Sequence, residues 1–386
     1  MRLYDTRTRE RVLLTLGHTV RVYACGITPY DSSHLGHAFT YTVFDALVRV
    51  LAADGHRVRY VRNVTDVDDD ILRKARELGM DYLDLGHREV ARFDADLAGL
   101  GLRPPDAAPL ATETIGPIRT AIAGLLARDS AYALPDGRVY FDVAAAGDAL
   151  GALSGLDRPE MLRQFAEKGG DPDAPGKRDR LDFLLWQPSA TDEPSWPAPQ
   201  FDPTHPGRPG WHIECSVMAM EELGSTIDVH GGGSDLVFPH HEAEILQSEH
   251  LTGQGPFARV WMHVGMVALD GVKMSKSLGN LVFVRDLLEC FEPGAIRRYL
   301  LSHHYRTGWE YDDAALQEAA GGYKGWVTAA ASPGTDPQLT EAFTAALHDD
   351  LDTPAAIAIL DRIAREGAGS TLRELAPVLG FDLDPV

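Results

Sequence analysis

The feature that most constrains this fold is a short apolar strand that passes through a turn-rich loop into a long apolar-periodic helix and a second strand. The pattern predicts a strand at 20–24, the loop at 26–33, the helix at 35–53 and a strand at 56–61. This order is typical of a parallel α/β sheet, whose carboxyl edge gathers the ligand-binding loops. We therefore expect residues 25–37 and 63–70 to meet at one edge.

Changes in the pattern divide the rest of the chain. Between the two α/β stretches lie a predicted strand pair at 131–143, helical segments and Pro- and Gly-rich segments, which indicate an insertion. The α/β pattern then predicts a strand at 226–230, a glycine turn at 231–233, a helix at 240–251 and a strand at 259–267. Beyond 284 the chain is predicted to be helical. The expected domains are 1–103 and 210–283 as two halves of an α/β domain, 104–209 as the insertion, and 284–386 as a helical stem.

Charge and cysteine content limit the classes of protein that the chain can belong to. A formal charge of -21 opposes extensive binding to nucleic-acid backbones. Three cysteines are too few and too scattered for a disulfide framework, and they fit a reducing cytoplasm. Neither a secretory leader nor an apolar run of membrane-spanning length is visible in the sequence. We expect a cytoplasmic protein with no membrane partner.

Two histidines mark the predicted start of the first helix, in the sequence His34-Leu35-Gly36-His37. Both imidazoles and the first N–H groups of the helix can face one anionic ligand there, such as a triphosphate. Glycine between them leaves room for a flat nucleotide base against the backbone. The alternative is that the histidines only cap the helix.

A basic segment later in the chain reads Lys273-Met274-Ser275-Lys276-Ser277. Its lysines can neutralise phosphate charge as pyrophosphate leaves. Two lysines alone are ordinary surface residues. Together and in this order, however, the histidine and lysine motifs resemble the signature of class I aminoacyl-tRNA synthetases.

Four dispersed residues form a candidate metal set: Cys25, Cys215, His240 and Glu244. Two thiolates, an imidazole and a carboxylate suit zinc. His240 and Glu244 are expected on one helical face, with the two cysteines supplied by neighbouring loops. Zinc would bind a substrate thiolate in preference to a hydroxyl, which selects cysteine without an editing site. Spacing alone leaves open that the cysteines are small buried hydrophobic residues, which is the interpretation we adopt for Cys290.

The chain resembles the cysteinyl-tRNA synthetase superfamily in its residues 25–28, 34–37, 63–69, 211–215 and 231–244 and in the segment that begins at Lys273. The resemblance implies a Rossmann-type class I catalytic domain with a connective insertion and a carboxyl-terminal helical stem. It also implies that L-cysteine is activated as an acyl-adenylate by ATP with Mg²⁺, and that one Zn²⁺ ion is held by the four candidate ligands.

The same resemblance assigns roles to individual residues. It makes His34, His37, Lys273 and Lys276 catalytic. It places Thr28, Thr65 and Trp211 around the cysteine. It places the adenosine against Gly233, Ser234, Asp235 and Val267. The remaining expected contacts to substrate and ATP are Cys25, Gly26, Ile27, Thr40, Asn63 and Val64.

Two branches of this superfamily differ in the amine or hydroxyl that accepts the cysteine. The tRNA synthetases carry an anticodon-binding domain, whereas the mycothiol ligases transfer cysteine to the amine of glucosaminyl-inositol. Little sequence follows the segment 349–354, so no anticodon-binding domain is expected, and segment 169–177 and the acidic charge also resemble the ligase branch. Glu244 and the wording of residues 273–280 instead resemble the tRNA synthetases. We expect glucosaminyl-inositol as acceptor, with tRNA, another amine or a non-catalytic sensor as the alternatives.

Overall fold

The computed structural model describes residues 1–30, 34–198, 205–274 and 279–384, and its elements follow an α/β order. The first half contains β1 (Arg2–Asp5), β2 (Glu10–Leu13), β3 (Thr19–Ile27), α1 (Leu35–Ala53), β4 (Arg57–Val64), α2 (Asp69–Leu78), α3 (Tyr82–Gly99), α4 (Ile115–Ala127), β5 (Ala131–Ala133), β6 (Val139–Phe141), α5 (Arg158–Glu167), β7 (Phe183–Pro188) and β8 (Gly207–Pro209). The second half contains α6 (Trp211–Leu223), β9 (Ile227–Gly233), α7 (Glu242–Thr252), β10 (Ala258–Val264), β11 (Val267–Leu269), β12 (Val272–Lys273), α8 (Val284–Leu288), α9 (Pro293–Leu301), β13 (Trp309–Glu310), α10 (Asp313–Ala329), α11 (Pro337–His348), α12 (Thr353–Arg365) and α13 (Gly369–Leu375).

A four-stranded parallel sheet organises the site, with the strand order β10-β9-β3-β4. The predicted strands at 20–24 and 56–61 and the predicted helix at 35–53 are confirmed by β3, β4 and α1. From β3 the chain continues outward to β4, and from β9 it continues to β10 on the other side. The strand order therefore reverses between β3 and β9, and open α/β sheets bind ligands in the crevice at such a reversal.

The glycine run at 231–233 belongs to β9, so the predicted turn there is wrong. Gly231 pairs with Ala24 on one side and with Met262 on the other. A Cβ atom added to Gly231 would lie 1.7 Å from the carbonyl oxygen of Met262. Glycine is thus required here because the strands pack too closely for a Cβ atom. The strand β9 therefore extends through residues that the sequence predicts to form a turn.

The segment 104–209, which the sequence predicts to be an insertion, forms a second sheet, antiparallel and ordered β5-β6-β7-β8. The predicted strand pair at 131–143 is confirmed by β5 and β6. The hydrophobic core of the insertion also includes Ile213 and Val217 from α6 and Leu246 from α7. The insertion therefore packs directly on the helices that flank the crevice.

The chain beyond 284 is mostly helical, as predicted, apart from β13, which pairs parallel with β11. Arg297 of α9 is buried, forms an ion pair with Asp45 of α1 and donates to the carbonyl oxygen of Leu379. A buried charge without its partner is costly, so this contact fixes α1 against the stem. Among the described residues, no helix has both the length and the apolarity needed to cross a bilayer.

Candidate active site and metal centre

The two histidines of the first motif cap α1 at the carboxyl edge of the sheet. His34 is the N-cap residue, and its Nδ1 accepts a hydrogen bond from the Gly36 N–H at 3.1 Å. The His34 N–H donates to Nδ1 of His37 at 3.5 Å, which completes a capping box. The capping alternative is therefore present in the structure. It does not exclude a phosphate contact, which would fall to the Nε2 atoms.

The four predicted metal ligands lie together in the crevice between β3 and β9. Ligand atoms of Cys25, Cys215, His240 and Glu244 are all within 4.8 Å of one another, and all four side chains are buried. Glu244 Oε1 lies 3.0 Å from His240 Nε2 and 3.5 Å from Cys25 Sγ. This buried set of thiol, imidazole and carboxylate groups is able to hold a metal ion.

The sequence predicts that the two cysteines come from loops, and this prediction is wrong. Cys25 lies within β3 and Cys215 lies within the first two turns of α6. His240 precedes α7 in a wider helical turn, Val237–His241, yet still reaches Glu244. Both thiols point into the apolar layer between the sheet and α6, where they are at most 4% exposed. Residues of a strand and a helix can reach this layer, whereas loop residues lie at its edge.

The pKa shifts in this cluster favour a deprotonated Cys215 beside a protonated His240. Burial raises the pKa of the Cys25 thiol, whereas the neighbouring Cys25 thiol lowers the pKa of Cys215 to about 6. Burial disfavours the charged form of His240, but Cys215 and Glu244 outweigh it and raise its pKa to about 10. Among the described residues, His240 Nε2 and Glu244 Oε2 have no aligned hydrogen bond. Buried atoms in this state suit a shared cation.

Three further histidines surround the cluster, and the sequence reasoning missed them. His230 Nε2 is 2.9 Å from Glu244 Oε2, and His241 Nε2 is 3.3 Å from Cys25 Sγ. Cys25, His230, His241 and Glu244 form a second set that could hold a metal. His263 continues the network, with Nε2 2.7 Å from His241 Nδ1. The available signal was that His241 is adjacent to a predicted ligand and that His230 precedes the glycine run.

One of the residues predicted to enclose the cysteine, Trp211, contacts the candidate metal set. The Trp211 ring stacks on His240 with the ring centroids 4.1 Å apart. Asn63 accepts from the Gly26 N–H at 2.8 Å and donates to the Thr65 hydroxyl at 3.2 Å. These contacts join the ends of β3 and β4, where Ile27 pairs with Val64.

Two predicted threonines make separate contacts. The Thr40 hydroxyl donates to the Gly36 carbonyl oxygen within α1 at 3.2 Å. The Thr28 hydroxyl donates to Asp68 at 3.1 Å, and Asp68 also caps α2 by accepting from the Asp70 and Ile71 N–H groups. With its proton committed to Asp68, the Thr28 oxygen is left to act as an acceptor, which suits a substrate ammonium group.

Asp68→Asn should remove a pH dependence from folding stability. Burial raises the pKa of Asp68 from 3.8 to about 6, so the folded protein binds this proton more tightly than the unfolded chain does. The native protein should therefore lose up to about 3 kcal/mol of unfolding free energy, relative to Asp68→Asn, as pH rises from 4 to 7. Urea unfolding of both proteins at several pH values measures the difference. Parallel pH profiles would contradict the assignment.

The predicted adenosine contacts lie at the ends of β9 and β11. Gly233 ends β9, Ser234 and Asp235 form a short 3₁₀ turn, and Val267 begins β11. Asp235 forms an ion pair with Lys273 at 2.8 Å, which brings the second motif to this turn. Lys276 lies outside the described residues.

The prediction for Cys290 is wrong, because this thiol is exposed. It follows α8, whose buried residues are Val284 and Leu287. Cys290 therefore has no part in the buried cluster.

A family model and several known proteins are similar to this chain in sequence. The family model described as tRNA synthetases class I (C) catalytic domain matches residues 13–321. Two relatives, from Parafrankia sp. and Thermobifida fusca, are named L-cysteine:1D-myo-inositol 2-amino-2-deoxy-alpha-D-glucopyranoside ligase and are each 47% identical to this chain. The alignments cover 100% of this chain and 90% of the first relative, and 94% and 87% for the second.

A solved structure extends the comparison to the fold. Mycobacterium tuberculosis methionyl-tRNA synthetase in complex with methionyl-adenylate superposes with a TM-score of 0.67 at 14% identity. The superposition covers 94% of this chain and 89% of that chain. It shows a shared class I catalytic fold.

Proposed function

Because the chain belongs to the family of class I (C) tRNA synthetase catalytic domains, we propose that it activates L-cysteine with ATP and joins it to the amine of glucosaminyl-inositol. The observation that carries the proposal is the position of the buried thiol cluster at the reversal of the sheet, close in the chain to the turn at Asp235 that Lys273 contacts. The names of the 47% identical relatives support the sugar amine as acceptor. The enzyme would thus be an AMP-forming cysteine ligase.

Zinc fits the cluster by donor chemistry and by burial. Cys25, Cys215, His240 and Glu244 would hold it, and two sulfur donors favour zinc over magnesium or calcium. When bound, zinc supplies a soft cation that takes a substrate thiolate in preference to a hydroxyl. The stacked ring of Trp211 would close the pocket on the side of His240.

The reaction proceeds in two transfers. The cysteine carboxylate attacks the α-phosphate of ATP, and pyrophosphate leaves while His34, His37 and Lys273 neutralise the charge that develops. Lys276, outside the described residues, is proposed for the same role. The acceptor amine then attacks the adenylate carbonyl, AMP departs, and an amide forms. Thr28 would accept a hydrogen bond from the cysteine ammonium group throughout.

The acceptor is tested with purified protein, ATP, Mg²⁺ and cysteine, to which glucosaminyl-inositol or bulk tRNA is added separately. We expect AMP release to depend on the sugar and to equal the amount of cysteinyl amide formed. Serine in place of cysteine should give no product, because a hydroxyl is a poor ligand for zinc. The assay follows AMP by chromatography and the product by mass spectrometry.

Other outcomes have distinct meanings. Transfer to tRNA without transfer to the sugar would contradict the proposed acceptor and show a tRNA synthetase. Cysteine-dependent pyrophosphate exchange without transfer of cysteine to either acceptor would indicate that another amine is the acceptor. Failure of that exchange would contradict the activation step itself.

A further inference from the structure

A lysine of the insertion contacts the segment 235–242, which lies between β9 and the start of α7 and includes the predicted adenosine contact Asp235. This segment is called the nucleotide turn below. Lys168 follows α5, and its Nζ donates to the carbonyl oxygens of Asp235 and Phe238 at 2.5 Å each. The side chain is half-buried, and burial lowers its pKa. An ammonium group withdrawn from water in this way needs such acceptors, so the contact is a strong one.

The insertion also contacts the other end of the nucleotide turn, at Glu242. Glu242 is 1% exposed, and its carboxylate accepts the N–H groups of Gly151 and Ser154 at 2.9 Å and of Leu153 at 3.3 Å. The segment 235–242 is therefore attached to the insertion twice. A cation holds its carbonyl groups at one end, and an anion receives N–H groups at the other.

The two attachments lie at different parts of the predicted site. Asp235, next to Lys168, forms the ion pair with Lys273 and lies in the proposed adenosine contact. His240, two residues before Glu242, belongs to the candidate metal set. Removing the ammonium group of Lys168 would release the nucleotide end of the turn, while Glu242 would still hold the metal end.

We propose that Lys168 is a positioning residue for ATP, which acts by fixing the main chain at Asp235 and Phe238 so that Asp235 and Lys273 are placed for the nucleotide. The inference rests on the proposed function, since it assigns this turn to ATP. Lys168 would act through the main chain of this turn rather than by contact with the reacting atoms. Its loss should weaken ATP binding and leave cysteine binding nearly unchanged.

Lys177 provides a matched control. It is a second partly buried lysine of the insertion, and its Nζ donates to the carbonyl oxygens of Asp171 and Arg180 at 2.9 and 2.8 Å. Both of those acceptors belong to the insertion. Lys168→Met and Lys177→Met therefore each remove two hydrogen bonds from an ammonium group to main-chain carbonyl groups, and only the first removes a link to the catalytic domain. Lys177→Met also removes the contacts of this ammonium group with the rings of Tyr140 and Phe165, which both lie in the insertion.

Cysteine-dependent pyrophosphate exchange gives separate KM values for ATP and cysteine. In Lys168→Met the KM for ATP should rise about tenfold and the KM for cysteine by less than about twofold, as expected for loss of charged hydrogen bonds on one side. Lys177→Met should leave both values within about twofold of the native protein. Lys168→Arg, which keeps a cationic donor, should restore most of the ATP affinity.

Several results would overturn the inference: an unchanged KM for ATP in Lys168→Met, an equal rise for both substrates, or the same change in Lys177→Met. If circular dichroism shows that Lys168→Met is unfolded, Lys168→Gln replaces it and the same criteria apply. Calorimetric titration of the native and variant proteins with ATP alone tests the role of Lys168 separately from the proposed function. Absence of exchange in the native protein contradicts the proposed function, whereas equal ATP affinities in the titration contradict the role of Lys168.

Discussion

Cys215→Ser is expected to lack the zinc proposed for the cluster and to have a kcat/KM for cysteine about a thousandfold below that of the native protein, because a hydroxyl is a poor zinc ligand and the substrate thiol would lose its partner. Cys215 is 2% exposed, so no other group from solvent can easily take its place. The residual activity should discriminate weakly between cysteine and serine. Zinc per chain is measured by plasma mass spectrometry, and activity by pyrophosphate exchange with each amino acid.

Cys290→Ser is the matched control for this variant. Cys290 is exposed and lies outside the cluster, so the same change of sulfur to oxygen there should leave zinc content and activity at the native level. A native zinc content in Cys215→Ser would contradict its assignment as a ligand. Loss of zinc in both variants would show that the measured zinc was not held by the cluster.

The sequence predicted those parts of the fold that depend on local periodicity. The apolar stripe of α1 and the apolar runs of β3 and β4 follow from side-chain spacing alone, and their bounds are close to the predicted ones. The glycines at 231–233 were misassigned because glycine serves turns and close strand packing equally well. Only the register of β9 against its neighbours separates the two uses.

The candidate site divides in the same way. Cys25, Cys215, His240 and Glu244 were predicted from residue types, and the structure brings them together. His230, His241 and His263 were missed because their contacts depend on how β9, α7 and β10 pack. Lys168 left no signal at all, since its acceptors are main-chain carbonyl groups that any residue could provide.

His34→Asn is expected to keep the stability of the protein and to lower kcat for pyrophosphate exchange about a hundredfold, as for removal of one transition-state donor. Asparagine is among the best N-cap residues, so its side chain can replace His34 Nδ1 as the acceptor for the Gly36 N–H. The variant removes the imidazole while it preserves the cap. It therefore separates the two interpretations of the first motif.

His34→Ala completes the test, because alanine removes both the cap and the imidazole. It should lose about 1 kcal/mol of unfolding free energy in addition to the same fall in kcat, whereas His34→Asn should stay within about 0.5 kcal/mol of the native protein. Urea unfolding measures the first quantity and exchange kinetics the second. Native kcat in His34→Asn with reduced stability in His34→Ala would reduce His34 to a helix cap, and charge neutralisation would then rest on His37 and the lysines.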